Sequence, residues 1–172
     1  MSHPLETEYA PAFQGYVAEV SEDDILPAMR AQPDALDVLL DRVTPERERF
    51  RYAEGKWSIR EIVGHLIDGE RVFGYRALCI ARGETQNLPG FDQDQYMLTA
   101  PFDEIDLEDL LSEFRLARLS NIAMLRTLDE AAWLRMGTAN GNPISVRALA
   151  YIMVGHTRHH MNVLRERYLT AG

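Results

Sequence analysis

The stretch KWSIREIVGHLIDGERVFGYR, residues 56–76, decides the fold. Ser58 followed by Glu61 has the spacing of a capping box, in which each side chain satisfies an amide at the start of a helix. Trp57 and Ile62 stand where a hydrophobic staple would close over that cap. Beyond it, Ile59, Ile62, Val63, Leu66, Ile67, Phe73, Ala77 and Ile80 recur with the period of a helix that buries one face. Gly83 ends the run. At ~1.5 Å per residue a helix over 58–82 is roughly 37 Å long, enough to span a small bundle.

Three more helices are predicted around this one. Toward the N-terminus, the spacing of Ile25, Leu26, Met29, Leu36, Val38, Leu39 and Leu40 predicts a helix over about 22–43, with Pro33 as a point of bending. Residues 44–57 read as a charged connection with one helical turn. Toward the C-terminus, Asp106 caps a helix over 107–128 that carries Leu110, Leu111, Phe114, Leu119, Ile122, Met124 and Leu125. A polar turn, TANGNP at 138–143, precedes a helix capped by Ser145. That last helix runs to about Tyr168 through Leu149, Met153, His156, His160, Val163 and Leu164. Residues 1–20 lack periodicity and are expected to wrap the surface as an irregular arm. Residues 21–172 then form a single all-α domain, a four-helix bundle. No alternating strand pattern is apparent.

Composition narrows the class. A chain of 172 residues with 46% hydrophobic side chains can bury a real core. No apolar run approaches the ~18 residues of a membrane span, and the N-terminus does not read as a secretory signal. The single cysteine, Cys79, fits a reducing, cytoplasmic location. The net charge is −9, and arginines alternate with acids, as in Glu46-Arg47-Glu48-Arg49. This argues against nucleic acid as a partner, because phosphate contacts require a basic surface.

The histidines carry the candidate chemistry. His156 and His160, four residues apart, stack on the apolar face of the last helix. His65 lies beside Ile62 and Leu66 on the buried side of the second. Bundles build metal sites from facing helices, and three imidazoles with an open fourth position are a common arrangement for a catalytic divalent ion. Spacing alone also allows the alternative, three hydrogen-bonded core histidines. His159 is rotated about 100° from His160 and reads as a supporting or surface residue. Asp68, three residues after His65, either orients an imidazole or pairs with Arg71. Glu70 turns away from His65 and reads as structural. The long segment GETQNLPGFDQDQYMLTAPFDEID, residues 83–106, exceeds the usual loop length. Its Asp92, Asp94 and Tyr96, with Arg82 at the base, are candidates for covering a pocket; a packed connector anchored by Phe91 and Tyr96 is the alternative. Cys79, in an apolar helical stretch, is not a candidate nucleophile.

Residues 56–76, together with GHTRHHMNVLRERY at 155–168 and LPGFDQDQY at 88–96, closely resemble the DinB-like family, the DinB/YfiT-like metalloenzymes. The resemblance extends from about residue 23 to 169. It implies a four-helix bundle whose metal is held by one histidine of the second helix and two of the fourth, here His65, His156 and His160. It further implies one divalent ion, zinc or nickel before iron or manganese, and a small-molecule substrate. Members of that family include enzymes that transfer low-molecular-weight thiols to electrophiles, which suggests a thiol-dependent S-transferase or hydrolase with a thiol cosubstrate. The alternative is a non-catalytic, stress-related metal-binding bundle. Family members are often homodimers; the sequence itself is silent on assembly.

Overall fold

The computed structural model describes residues 2–169. Four long helices form the bundle: α2 (Ile25–Leu40), α4 (Ile59–Ala81), α6 (Leu107–Leu125) and α8 (Val146–Val163). Short helical pieces fill the connections, namely α1 (Gln14–Ala18), α3 (Pro45–Glu48), α5 (Gln93–Thr99) and α7 (Glu130–Trp133). Helix α4 packs against α6 and α8, and so does α2. The first two long helices of the chain therefore sit across a diagonal. No helix among the described residues is long and apolar enough to cross a membrane.

The expected caps are present. The Ser58 hydroxyl accepts from the Glu61 amide at 3.0 Å, and the Ser58 amide donates to the Glu61 carboxylate at 2.7 Å. Ser145 caps α8 by accepting from the Ala148 amide at 3.0 Å. Pro33 lies inside α2, which continues past it to Leu40. Helix α8 widens into a π turn over Leu164–Leu169, where the Tyr168 hydroxyl donates to the Trp57 carbonyl at 2.6 Å. That bond ties the end of the last helix to the start of α4.

Two regions differ from the sequence expectation. The polar turn is the centre of a small sheet. Strands β2 (Met136–Ala139) and β3 (Asn142–Ser145) pair antiparallel, and β1 (Asn87–Leu88) adds in parallel to β2. Asn140 and Gly141 both take positive φ, 51° and 73°, the backbone of the tight turn that Asn-Gly favours. Strands this short carry no readable alternation. The N-terminal arm is also more ordered than expected. It forms one-turn helices at Glu6–Glu8 and Pro11–Phe13 and then α1, burying Tyr9, Val17 and Val20. A Cβ on Gly155 would lie 1.9 Å from the Tyr16 carbonyl oxygen, so glycine there lets the arm's backbone rest directly on α8.

Glu8 fixes the arm electrostatically. Its carboxylate accepts from Arg147 Nε and from the Ser145 hydroxyl, each at 2.7 Å, and pairs a second time with Arg147 Nη2. Burial raises its pKa, but the Arg147 and Ser145 hydrogen bonds win and hold it below the ordinary value of 4.5. A depressed carboxylate stabilises the fold fully above its unfolded pKa and loses that contribution as pH falls through the folded one. Thermal melts should therefore show wild type losing stability more steeply than Glu8→Gln as pH drops below about 4.5. Parallel pH profiles for the two proteins would refute this role.

The interior is divided. One apolar cluster gathers Ile25 and Met29, Phe73 and Ile80, Ile122 and Leu125, and the first half of α8. A second gathers Leu36 and Leu40, Ile62 and Leu66, Leu110 and Phe114, and Leu164. Between them each long helix contributes buried polar residues: Gln32 from α2, His65 and Glu70 from α4, Arg118 from α6, and His156 and Thr157 from α8. A polar belt thus crosses the waist of the bundle. Arg118, 0% exposed, is its hub. It pairs with Glu70 at 2.8 Å, and donates to Thr157 Oγ1 at 2.8 Å and the Met153 carbonyl at 3.2 Å. Asn121 also donates to Glu70, and Gln32 donates to the Val154 carbonyl at 2.8 Å.

Candidate metal centre

His65 lies on α4, about two turns beyond the N-cap Ser58, and His156 and His160 lie on the facing stretch of α8. Their rings meet in a three-way cluster with centroids 4.7–4.8 Å apart, each steeply inclined to the others. One ring nitrogen from each lies within 4.8 Å of the other two. His65 Nε2 and His156 Nε2 are only 2.8 Å apart. Burial pushes the His65 imidazole down to about 4, and burial also holds His156 and His160 well below their ordinary value. The three are therefore neutral at pH 7, the form in which imidazole ligates a metal.

The residue set fits a divalent ion. Three neutral imidazoles, His65 and His156 buried and His160 half-buried, share a single nitrogen–nitrogen contact, and the His160 ring has no hydrogen bond among the described residues. A cation at their meeting point would satisfy nitrogen lone pairs that the protein otherwise leaves without donors. Tris-imidazole donor sets accept zinc, nickel, copper or iron. Among the described residues the cluster includes no fourth histidine, cysteine or carboxylate.

Ring packing rather than carboxylates orients the imidazoles. Trp57 stacks on His65 at 4.8 Å, and Tyr16 and Phe73 contact His156 at 5.3 and 5.7 Å. Gly69 makes room for His156, because a Cβ there would lie 3.1 Å from the ring. Sequence reasoning missed Tyr16 and Gly69. Gly69 follows His65 by one helical turn, so its position on the same face was available as a signal.

The other candidate residues are spread more widely. His159 is exposed and meets Tyr16 and His160 edge-to-face at 5.4 and 5.1 Å. With His160, Trp57, Tyr52 and Asp94 it lines a cleft of about 260 Å³. Asp68 makes no hydrogen bond to an imidazole; burial raises its carboxyl pKa, Arg71 opposes this and Glu113 adds to it. Arg71 itself pairs with Glu113. Asp92 caps α5, accepting from the amides of Asp94 and Gln95, and Tyr96, 48% exposed, packs on Phe91. Arg82 sits at the far end of α4, away from the histidines. Glu70 is structural, as the Arg118 pair shows. A larger cleft, about 450 Å³, is lined by none of the three histidines.

The chain is 24% identical over 162 residues to a protein of Geobacillus thermodenitrificans (strain NG80-2) whose name gives metal-dependent hydrolase as a proposed activity. The alignment covers 92% of this chain and 88% of that one. Among solved structures, YfiT from Bacillus subtilis superposes with a TM-score of 0.80 at 21% identity, covering 98% of this chain and 96% of that one. YfiT is described as a probable metal-dependent hydrolase with an unusual four-helix bundle topology. The sequence profile of the DinB superfamily matches residues 28–164, and the chain belongs to that superfamily.

Proposed function

We propose that this protein is a divalent-metal enzyme that adds water or a low-molecular-weight thiol to small electrophilic molecules, with His65, His156 and His160 as the metal ligands. The observation that carries the reading is the convergence of three neutral imidazoles, two buried and one half-buried, beside a cleft that His160 itself lines. An ion there supplies Lewis acidity, lowering the pKa of the attacking water or thiol toward neutrality. Trp57 packs on His65, and Tyr16 and Phe73 pack on His156, limiting the contact of both rings with bulk water. His159, exposed at the rim of the cleft, is placed to move a proton between its ring nitrogens and solvent. Asp94 and Tyr52, which line the same cleft, can orient a substrate.

The test is reconstitution of untagged protein with zinc, nickel, iron or manganese. Small esters, amides and epoxides are then assayed with and without added thiols. Turnover should require metal, and its dependence on thiol separates transferase from hydrolase. Protein that takes up none of these ions at about one per chain would refute the proposal.

A further inference from the structure

The larger cleft has a feature that the proposed metal chemistry does not use. Its floor is Arg76, on α4, only 4% exposed. Arginine at such depth is ordinarily neutralised by a carboxylate, because an unpaired buried charge is costly. Arg118, Arg147 and Arg60, the other deeply buried arginines, each have such a partner. Arg76 has none among the described residues. Its guanidinium donates one hydrogen bond, from Nη2 to the Pro89 carbonyl at 2.7 Å, and lies 6.0 Å from the centre of the Phe91 ring. Burial lowers its pKa, and no acidic neighbour offsets that. Asp92 lines the same cleft, but its carboxylate is turned into the first turn of α5.

We propose that this cleft binds the anionic end of a small ligand, a carboxylate or phosphate held by the Arg76 guanidinium. The fork of N–H groups suits either oxyanion. At about 450 Å³ the cleft has the size of a metabolite site. Phe13, Phe91 and Ile144 supply apolar walls for the body of the ligand, and Asn140 and Asn142 supply polar groups at the rim. The Asn140 side chain packs onto Gly90, where a Cβ would come within 2.5 Å, so the hairpin holds the Arg76-covering loop in place. Phe73 links the two regions: its ring meets Phe13, Phe91 and His156, each edge-to-face. A ligand in this cleft lies one aromatic ring from the histidine cluster.

The experiment is titration of chelator-treated, metal-free protein with benzoate, phenylphosphonate, inorganic phosphate and neutral benzyl alcohol, followed by amide and Arg Nε NMR. One of the two aromatic anions, at least, should bind saturably and shift Arg76, Phe91 and Asn142. Comparison of benzoate with the phosphorus oxyanions shows which group is preferred. Benzyl alcohol should bind at least tenfold more weakly, Arg76→Met should cost at least tenfold, and Arg76→Lys should retain part of the affinity. If Arg76→Met does not fold, Asn142→Asp at the exposed rim is the second probe, and should weaken anion binding several-fold. Equal binding of anion and alcohol, shifts confined to the histidines, or no saturable binding would overturn the proposal. Because the readout needs no metal, loss of the metal reading leaves this result intact, and the reverse also holds.

Discussion

Replacing Arg118 by methionine should lower the stability of the fold by about 3–5 kcal/mol, the cost of removing one member of a buried ion pair. The residue is fully enclosed and joins Glu70, Thr157 and the Met153 carbonyl in one network. Methionine fills much of the volume but leaves Glu70 charged, with Asn121 as its remaining side-chain partner. For a chain of this length the melting temperature should fall by roughly 6–20 °C. The double variant Glu70→Leu/Arg118→Met removes both charges together and should recover a large part of the loss. Circular-dichroism melts of the two single variants and the double variant provide the measurement. A loss below about 1 kcal/mol for Arg118→Met would mean that the belt carries little of the stability.

Replacing His156 by alanine should reduce bound metal from about one ion per chain to below a tenth, and turnover by more than ~100-fold. Loss of a residue that merely supports a ligand already costs 10–100-fold, and loss of the ligand itself costs more. His156 is buried, packed between Gly69, Tyr16 and Phe73. His159→Ala is the matched control, since it removes an imidazole from the cleft rim and not from the cluster. It should leave metal content unchanged while lowering turnover. Elemental analysis alongside kinetics separates the two effects. Full metal occupancy in His156→Ala would exclude it as a ligand.

Where the fold was legible in sequence, local chemistry and tertiary environment agreed. Ser58 and Glu61 cap α4, Ser145 caps α8, and a spacing of four residues put His156 and His160 together. Helix α6 shows how the reading fails. Leu116 and Leu119 are 68% and 40% exposed, whereas Arg118 is buried. Its apolar pattern therefore points partly the wrong way, and nothing local marks Arg118 as an interior residue. Partners distant in sequence make that burial affordable, above all the carboxylate of Glu70, 48 positions earlier. Arg76 is hidden in the same way, because its environment comes from the 89–92 loop and the hairpin. The hairpin itself had one local sign, Asn140-Gly141, which a polar-turn reading absorbed without its strands.

The contact between Gly155 and Tyr16 bears on where the working unit of this protein begins. The superfamily match starts at residue 28, after the arm. Yet Tyr16 presses on both His156 and His159, and the backbone beside it occupies the space left by the missing side chain of Gly155. A version cut to the matched region would retain all three candidate ligands and expose one flank of His156 to water. Residues outside the matched region thus supply part of the dielectric around the three histidines. Relatives with the same three histidines and different N-terminal segments would then differ in reactivity without any change in their metal ligands.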